Sequence, residues 1–355
     1  MKPARVLIAY SSKPPIIEYL KRAFAAQGID ARGFLSDDNT WFDRYVIHHL
    51  NKQAHNLLIL PKGKDAFANH RLAHLNYRSA ALLEAAREYR PDLVLVIRGI
   101  KFRENVLREI RSKARLFGWW IEREERMEEA FSEIDLFDRY FFMNSSCVDE
   151  GIRRGLGAKI GLLHHAVDTA VFHPMDIAKK YDWCFVGNWS EKRQKFIAEA
   201  LRACPNGAVY GRKWKAKNLF NLPVLRAHRG TYIEGAPLTR LYNESRVVLN
   251  ITNWGFGEGE KRSGVNMRVL EVPACGACLL TDGSRDLKTL VTPSRHVVVY
   301  DGLDDFSSKL KGLVADEALR SSIARSGYGH VVENFTYGHA VRAIMERFGP
   351  VEVVR

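Results

Sequence analysis

The sequence predicts an α/β protein made of two successive domains, each built on a parallel β-sheet. Three observations lead to this prediction. Short apolar segments typical of buried strands alternate with segments of helical periodicity along the chain. The length of 355 residues suits two domains of about 150 residues each. The alternation is interrupted once, over residues 166–180, where no periodic pattern is sustained.

The first domain is expected over residues 1–165. Its first strand, Arg5 to Tyr10, leads through a Ser-Ser-Lys-Pro-Pro loop into a helical segment that starts at Ile16. The apolar run after Pro91-Asp92 is typical of a strand buried on both faces of a parallel sheet. The further strands are expected at 92–98, 116–121, 139–143 and 159–163, and the further helices at 72–89, 102–113, 124–131 and 146–154.

The second domain is expected over residues 181–335, after a linker at 166–180. Its strands are expected at 183–186, 207–210, 247–251, 277–281 and 296–300, and its helices at 191–203, 238–245, 265–274, 304–314 and 317–326. We expect the last segment, 336–355, to form a helix that crosses back to the first domain. Ligands of such sheets bind beyond the carboxyl ends of the strands, which predicts a site in a cleft between the domains.

Composition and charge narrow the class of protein. Hydrophobic residues at 46% and charged residues at 27% are typical of a globular protein and exclude disordered, collagen-like and disulfide-scaffold chains. No apolar run approaches the roughly 18 residues of a membrane span, and the run at 6–10 is too short for a signal peptide, so we expect a cytoplasmic protein. Five dispersed cysteines favour reduced, buried thiols. The net charge of +13 favours phosphate-bearing partners, but no zinc-finger or RNA-recognition motif supports a nucleic-acid partner.

Several ordered motifs carry a family resemblance. The most informative segment is Ser263 to Asp282, SGVNMRVLEVPACGACLLTD. It is accompanied by His165-Ala-Val-Asp168, Cys184-Phe-Val-Gly187 and Asn334-Phe-Thr-Tyr337. Together these segments resemble GT-B glycosyltransferases, most of all the spore-maturation-type (CgeB-like) branch. The resemblance implies two Rossmann-like α/β/α domains that face each other across a cleft, with a nucleotide-sugar donor held mainly by the second.

The start of the helix expected from Val265 is suited to phosphate. A glycine-rich loop precedes this helix, and its glycines are Gly255, Gly257, Gly259 and Gly264. Glycines let a backbone approach phosphates closely, and the unpaired amides of a helix start favour anions. Lys261 and Arg262 would add positive charge. The alternative interpretation is an ordinary mobile loop.

Glu271 is the principal candidate in this segment. We expect it two helical turns after the loop, among apolar neighbours, where a partly buried carboxylate needs a partner. The resemblance implies that it accepts hydrogen bonds from the nucleotide ribose; the alternative is an ion pair with Arg268. The other candidates in the segment are Ser263, Gly264, Val265, Asn266 and Arg268. Ser263 stands where related retaining enzymes have a glutamate, so the retaining mechanism that the resemblance favours stays open.

A second group of candidates follows the first strand of the second domain. Gly187, Asn188, Lys192 and Arg193 form a strand-to-helix turn, and the two cations are suited to stabilise a departing diphosphate. The alternative is a solvated helix start. Two further candidates lie later in the chain, Arg212 and Tyr232. The resemblance places Tyr232 where the family holds the nucleotide base, although an exposed turn tyrosine explains it equally well.

In the first domain, Glu122 follows the strand at 116–121 and is the candidate for orienting or deprotonating the acceptor hydroxyl. The alternative is an acidic first helical turn that complements the helix dipole. The adjacent His164 and His165 point to opposite faces and do not suit one metal. Cys275-Gly-Ala-Cys278 lacks the second pair that a zinc site needs. We therefore expect no catalytic metal and no cofactor.

The resemblance implies a hexosyltransferase-type glycosyltransferase. Its donor would be a nucleoside-diphosphate sugar, with UDP or GDP as the expected nucleotide, and its acceptor a hydroxyl of a glycan, a lipid-linked molecule or a protein. One alternative is an epimerase or hydrolase of nucleotide sugars on the same fold. Another is a non-catalytic protein that binds nucleotides or polyanions. The basic charge is compatible with peripheral contact at the inner, anionic face of a membrane, and we expect no nucleic-acid partner.

Overall fold

The computed structural model describes residues 2–10, 15–35, 40–61, 64–97, 102–218, 220–253 and 262–349. The chain divides into two compact units. The first comprises Met1–Met143, Cys147–Leu163 and Val341–Arg355, and the second comprises Asn144–Ser146 and His164–Ala340. Each unit contains one parallel sheet with helices, as the sequence predicts. Each sheet has six strands, one more than the five predicted for it.

The sheet of the first unit has the strand order β2-β1-β3-β4-β5-β6, and all neighbouring strands are parallel. Its strands are β1 (Arg5–Tyr10), β2 (Asp30–Leu35), β3 (Leu93–Ile97), β4 (Arg115–Trp120), β5 (Arg139–Phe142) and β6 (Ile160–Leu162). β3 is buried along its whole length, as expected of a strand covered on both faces.

Five of the helices associated with this sheet lie close to the predicted positions, and α2 was not predicted. They are α1 (Ile16–Ala25), α2 (His48–Asn56), α3 (His74–Tyr89), α4 (Glu104–Arg111), α5 (Met127–Phe131) and α6 (Ser145–Arg153). A π-helical turn, Asp43–Ile47, precedes α2, and two 3-10 turns lie at Glu124–Arg126 and Ile134–Leu136. Aromatic side chains fill much of the core, with Trp120, Tyr140 and Phe142 fully buried. Trp120 is therefore a packing residue of this unit.

The sheet of the second unit has the strand order β12-β11-β10-β7-β8-β9, again entirely parallel. Its strands are β7 (Tyr181–Val186), β8 (Gly207–Tyr210), β9 (His228–Gly230), β10 (Ser245–Asn250), β11 (Cys278–Asp282) and β12 (Val298–Tyr300). The helices are α7 (Glu191–Ala203), α8 (Trp214–Lys217), α9 (Leu222–Ala227), α10 (Gly235–Glu244), α11 (Arg268–Ala274), α12 (Leu287–Leu290), α13 (Gly302–Ala315), α14 (Glu317–Asn334) and α15 (Tyr337–Glu346). α15 is shared, since its residues up to Ala340 belong to the second unit.

The core of the second unit is also rich in aromatic residues, among them the fully buried Trp183, Phe185 and Trp214. All five cysteines are buried and free, which confirms the expected buried thiols. Burial raises the pKa of the Cys184 and Cys278 thiols to about 12, so both stay protonated at neutral pH. No helix in the described ranges combines the length and the apolar character that crossing a membrane requires.

The sequence pattern misses two of the edge strands, β2 and β9, and the shortest helices. β2 is mostly exposed and β9 has three residues, so neither shows the apolar signal of a buried strand. α14 runs to Asn334, eight residues beyond its predicted end, because it continues through Gly327 and Gly329. Gly327 is required there, since a Cβ at this position would lie 2.5 Å from the backbone oxygen of His296. A close approach between elements therefore explains a glycine that the pattern reads as a helix end.

Candidate donor-binding site

The carboxyl ends of β10 and β11 carry a network of polar side chains. Asn250, the last residue of β10, is 1% exposed, and its amide nitrogen donates to Thr281 Oγ1 at 2.9 Å. Its Oδ1 accepts from Asn266 Nδ2 at 2.7 Å and from Arg268 Nη1 at 3.1 Å. The buried amide therefore brings together two predicted site residues, Asn266 and Arg268. Sequence reasoning did not assign Asn250 to the site, although its place at a strand end is a usable signal.

The helix α11 begins at Arg268, three residues later than the sequence predicts. The segment before it is held in a non-helical conformation, because Gly264 has a φ of +83° and Asn266 Oδ1 accepts from the Arg268 amide at 3.1 Å. A Cβ at position 264 would lie 1.9 Å from Asn144 Oδ1, so only glycine fits. Val265, which is buried, belongs to this loop and not to the helix. Glu271 consequently lies in the first turn of α11 and not two turns inside it.

Glu271 is buried, with 7% of its surface exposed. Among the described residues its carboxylate has no hydrogen-bond or ion-pair partner, and the guanidinium of Arg268 is bonded to Asn250. The alternative of an Arg268–Glu271 ion pair is therefore not realised. Burial raises the pKa of Glu271 to about 7, and the charge of Arg268 lowers it by a smaller amount. A carboxyl in this state is ready to accept hydrogen bonds from a ligand.

Asp286 anchors the loop that leads to α11. It is 1% exposed, and its carboxylate accepts from the Gly264 amide at 2.6 Å and from the Ser145 amide at 3.0 Å. The Ser145 hydroxyl also donates to it, and Ser263 and Ser146 share a hydrogen bond through their hydroxyls. Sequence reasoning missed Asp286. It follows β11 closely, so its position after a strand end is the signal that points to it.

Arg193 joins two strand ends through backbone carbonyls. It is buried, and its guanidinium donates to the carbonyl of Ile251 at 2.9 Å and to that of Asn188 at 2.9 Å. Its own amide donates to the side chain of Ser190, the N-cap of α7. Arg193 thus holds the turn after β7 against the end of β10. The alternative of a solvated helix start therefore does not describe it.

Lys192 forms an ion pair with Asp282. Its Nζ lies 3.0 Å from Asp282 Oδ2, and both side chains are largely buried. Asp282, the last residue of β11, also accepts from the Thr252 amide at 3.0 Å. Lys192 therefore lies with Asp282 and Thr252 at the ends of β10 and β11, and sequence reasoning assigned neither of these two partners to the site.

The turns after β7 and β8 approach each other closely. The amide of Arg212 donates to Asn188 Oδ1 at 3.0 Å, and Trp214 Nε1 donates to the carbonyl of Gly187 at 2.7 Å. The close packing needs glycine at 211, where a Cβ would lie 2.0 Å from the Gly187 oxygen. The side chain of Arg212 is exposed. The sequence candidates Gly187, Asn188 and Arg212 are therefore neighbours in space.

Two further candidates are Tyr232 and Glu122. Tyr232 is 65% exposed, and its hydroxyl donates to Glu234, which raises the pKa of the tyrosine. Glu122 belongs to the first unit, after the end of β4, where its carboxylate lies 3.5 Å from Arg126 Nη1. The candidates Gly255, Gly257, Gly259 and Lys261 lie outside the described residues. In the parts of the chain that the structure describes, no group of three His, Cys, Asp or Glu side chains is arranged to hold a metal ion.

Comparison with known proteins gives this arrangement a context. A family model described as "Glycosyl transferase-like" matches residues 193–346, which include the helix α11 and the strand ends around it. This part of the chain, under half of its length, is similar to that family. The match confirms the predicted class of enzyme. The narrower spore-maturation-type relationship stays a prediction, and no curated protein sequence matches the chain.

Solved structures show that the chain has the GT-B fold. HepE of Anabaena, in complex with UDP and glucose, is 11% identical with a TM-score of 0.61 over 96% of this chain and 98% of its own. Sucrose-phosphate synthase of Thermosynechococcus elongatus is 12% identical with a TM-score of 0.67, over 96% and 97%. UDP-GlcNAc 2-epimerase of Neisseria meningitidis is 11% identical with a TM-score of 0.57, over 97% and 99%. At these identities the likeness concerns the fold.

Proposed function

We propose that the protein transfers a sugar from a UDP-sugar to a hydroxyl acceptor, and that Glu271 binds the ribose of the donor. The observation that carries the proposal is the state of this side chain. It is a buried carboxylate without a hydrogen-bond partner among the described residues. It lies in the first turn of α11, whose Arg268 is bonded to Asn250 at the end of β10. The two ribose hydroxyls of a nucleotide would supply the missing donors. HepE, bound to UDP and glucose in its structure, supports UDP as the nucleotide.

The polar network gives the neighbouring residues different tasks in this proposal. Asn250 fixes Asn266 and Arg268 beside the first turn of α11, so the guanidinium is preorganised when the donor binds. Asp286 fixes the Gly264 loop, whose backbone would approach the diphosphate. Arg193 positions the turn after β7 and acts on the donor through that backbone.

Charge balance of the diphosphate would come from cationic side chains of the second unit. Arg212 is exposed, and Arg268 is half-buried next to Glu271. We propose that these cations, and not a metal ion, stabilise the leaving nucleotide. Turnover that is unchanged by excess chelator is the expected result. Loss of turnover in chelator with recovery in manganese would contradict metal independence.

The acceptor and the cellular setting belong to the same proposal. Glu122 would orient or deprotonate the acceptor hydroxyl from the first unit. We propose a glycan, lipid-linked or protein acceptor, retention of configuration at the anomeric carbon, and a cytoplasmic protein that contacts the inner face of an anionic membrane. The anomeric configuration of the product, read by NMR, tests retention.

Isothermal titration with UDP, GDP, dTDP, CMP and ADP tests the donor site on the full chain. UDP should bind, and Glu271→Ala should weaken UDP binding by about 10- to 100-fold, the usual worth of hydrogen bonds to a charged group. Glu244→Gln is the matched control, because Glu244 belongs to the same unit but forms a surface ion pair with Arg240. It should bind UDP like the wild type. If the Glu271→Ala variant binds UDP as tightly as the wild type does, Glu271 does not bind the ribose.

A second candidate function is an epimerase or hydrolase that acts on the same donor. The observation that favours it is the fold similarity to UDP-GlcNAc 2-epimerase. The two functions differ in their need for an acceptor. An epimerase or a hydrolase would convert the nucleotide sugar when no acceptor is present, whereas a transferase would release UDP at a substantial rate only after an acceptor is added.

A further inference from the structure

The first unit displays an unusual concentration of exposed apolar side chains. Among the described residues, fifteen large hydrophobic side chains are exposed, and six of them lie within residues 41–59. They are Trp41, Tyr45, Leu50, Leu57, Leu58 and Ile59. Single exposed apolar residues are ordinary, but a local concentration marks an interaction surface. We call residues 41–59 the docking segment.

Three consecutive aliphatic side chains at the C-terminal end of the docking segment are exposed to solvent. Leu57, Leu58 and Ile59 are 68%, 87% and 69% exposed. Their backbone is nevertheless ordered by the last turn of α2, since the Leu57 amide donates to Gln53 at 2.9 Å and the Ile59 amide to Ala54 at 2.9 Å. A defined backbone therefore displays three apolar side chains that make little contact with their own chain.

Leu58 is an unexpected residue for its position. Its φ is +56°, a left-handed conformation that favours glycine or asparagine. A leucine here costs backbone energy, and its side chain gains almost no burial in return. Stability of the first unit does not explain this leucine, whereas contact with an external apolar phase does.

The rest of the docking segment combines aromatic and basic side chains. The rings of Trp41 and Tyr45 lie 6.1 Å apart, and both side chains are mainly exposed. Arg44 and Lys52 are exposed in the same segment. Its acidic residue, Asp43, accepts from the His74 amide at 2.8 Å and so points its carboxylate to its own chain. The exposed charge of the segment is therefore positive.

We propose that the docking segment inserts into the interfacial region of an anionic lipid bilayer. Tryptophan and tyrosine suit the depth of the headgroups, aliphatic side chains reach the acyl boundary, and lysine and arginine attract anionic lipid. The net charge of +13 adds long-range attraction to such a surface. The inference names the surface that makes the proposed membrane contact, and it rests on that part of the proposed function and not on donor binding.

Co-sedimentation of the full chain with vesicles tests the proposal. The probes are vesicles of mixed phosphatidylglycerol and phosphatidylcholine and vesicles of phosphatidylcholine alone. The wild type should bind the mixed vesicles, and added salt should weaken the binding. The main variant combines Leu57→Ser, Leu58→Asn and Ile59→Ser. Asparagine tolerates the positive φ at position 58, so this variant should retain its fold.

Two further variants separate apolar insertion from charge attraction and from general exposure. Arg44→Gln with Lys52→Gln removes two exposed cations of the docking segment. Phe220→Ser with Leu222→Ser removes exposed apolar side chains of the second unit, which are 98% and 59% exposed. We expect the triple variant to bind the mixed vesicles about tenfold or more weakly and the cation variant to bind them less tightly. The Phe220/Leu222 control should bind like the wild type.

Three outcomes would overturn the proposal. One is equal vesicle binding by the wild type and the triple variant. Another is binding lost equally in the Phe220/Leu222 control, which would indicate non-specific adsorption. The third is a wild-type dimer in sedimentation velocity that the triple variant abolishes, which would assign the segment to a second copy of the chain. UDP affinity measured on the same variants reports donor binding separately, so failure of the two proposals can be told apart.

Discussion

The strand ends of the two sheets differ in the side chains that they bury. At the ends of β10 and β11, the second unit buries Asn250, Thr281 and Asp282 in a hydrogen-bonded network. At the ends of β4 and β5, the first unit buries Trp120 and Phe142 in its aromatic core. Both sheets are parallel and six-stranded, so the topology does not cause the difference.

This difference indicates which unit has a buried polar network that folding alone does not explain. Burying polar groups is unfavourable unless each has a partner, so a dense buried network at strand ends indicates a task beyond folding. The second unit carries that network, together with a carboxylate that has no partner among the described residues. In the first unit, Glu122 is the predicted reactive group, and it lies in a partly exposed ion pair with Arg126. Three substitutions test the comparison, ordered by their expected effect on stability.

Asp286→Ala should have the largest effect. The variant removes three hydrogen bonds that a buried carboxylate accepts from Gly264 and Ser145. We expect the free energy of unfolding to fall by about 3–5 kcal/mol, because buried donors are left without an acceptor. Urea unfolding of the full chain measures the change.

Asp316→Ala is the matched control for this variant. Asp316 is an exposed N-cap that accepts from the Leu319 amide at 2.8 Å, so its loss should cost about 1 kcal/mol. Equal destabilisation by the two substitutions would contradict the special importance of the Asp286 network.

Glu271→Gln should stabilise the ligand-free protein at pH 8. The pKa of Glu271 is raised from an ordinary 4.5 to about 7, so the folded protein holds this proton more tightly than the unfolded chain. The free energy of unfolding therefore falls as the pH rises from 4.5 through 7, by up to about 3 kcal/mol, and the glutamine variant lacks this part of the fall.

Urea unfolding of wild type and Glu271→Gln at pH 5 and pH 8 tests the sign. The variant should be more stable at pH 8 and differ less at pH 5, while binding UDP more weakly. A variant that is less stable than the wild type at pH 8 would mean that the carboxylate has a stabilising partner in the ligand-free protein.

Glu122→Gln should have the smallest effect on stability. Its ion pair with Arg126 is partly exposed, and such pairs contribute about 0.5 kcal/mol or less. If Glu122 acts on the acceptor hydroxyl, turnover should fall by about 10²- to 10⁴-fold with UDP affinity unchanged. Glu125→Gln is the control, three residues further along the same turn. Turnover equal to that of the wild type would leave Glu122 without a catalytic role.

The sequence alone determined the two parallel sheets, the α/β class and the segment that carries the donor-binding candidates. Strands buried on both faces, such as β3, have a continuous apolar pattern that needs no tertiary information to recognise. The edge strand β2 lacks that pattern because most of its side chains face solvent. Local periodicity reports burial, and it is silent where an element is exposed or short.

Only the tertiary structure decided how the candidate residues are used. Arg193 and Lys192 look like free cations in the sequence, but they bond to Ile251 and to Asp282, which lie about 60 and 90 positions away in the chain. Asp286 reaches Ser145 across a still longer separation. Glu271, by contrast, does not pair with its near neighbour Arg268, because the Arg268 guanidinium donates to Asn250 instead. Hydrogen-bond partners are chosen by three-dimensional proximity, which a linear pattern does not encode, and this choice leaves the Glu271 carboxylate without a partner among the described residues.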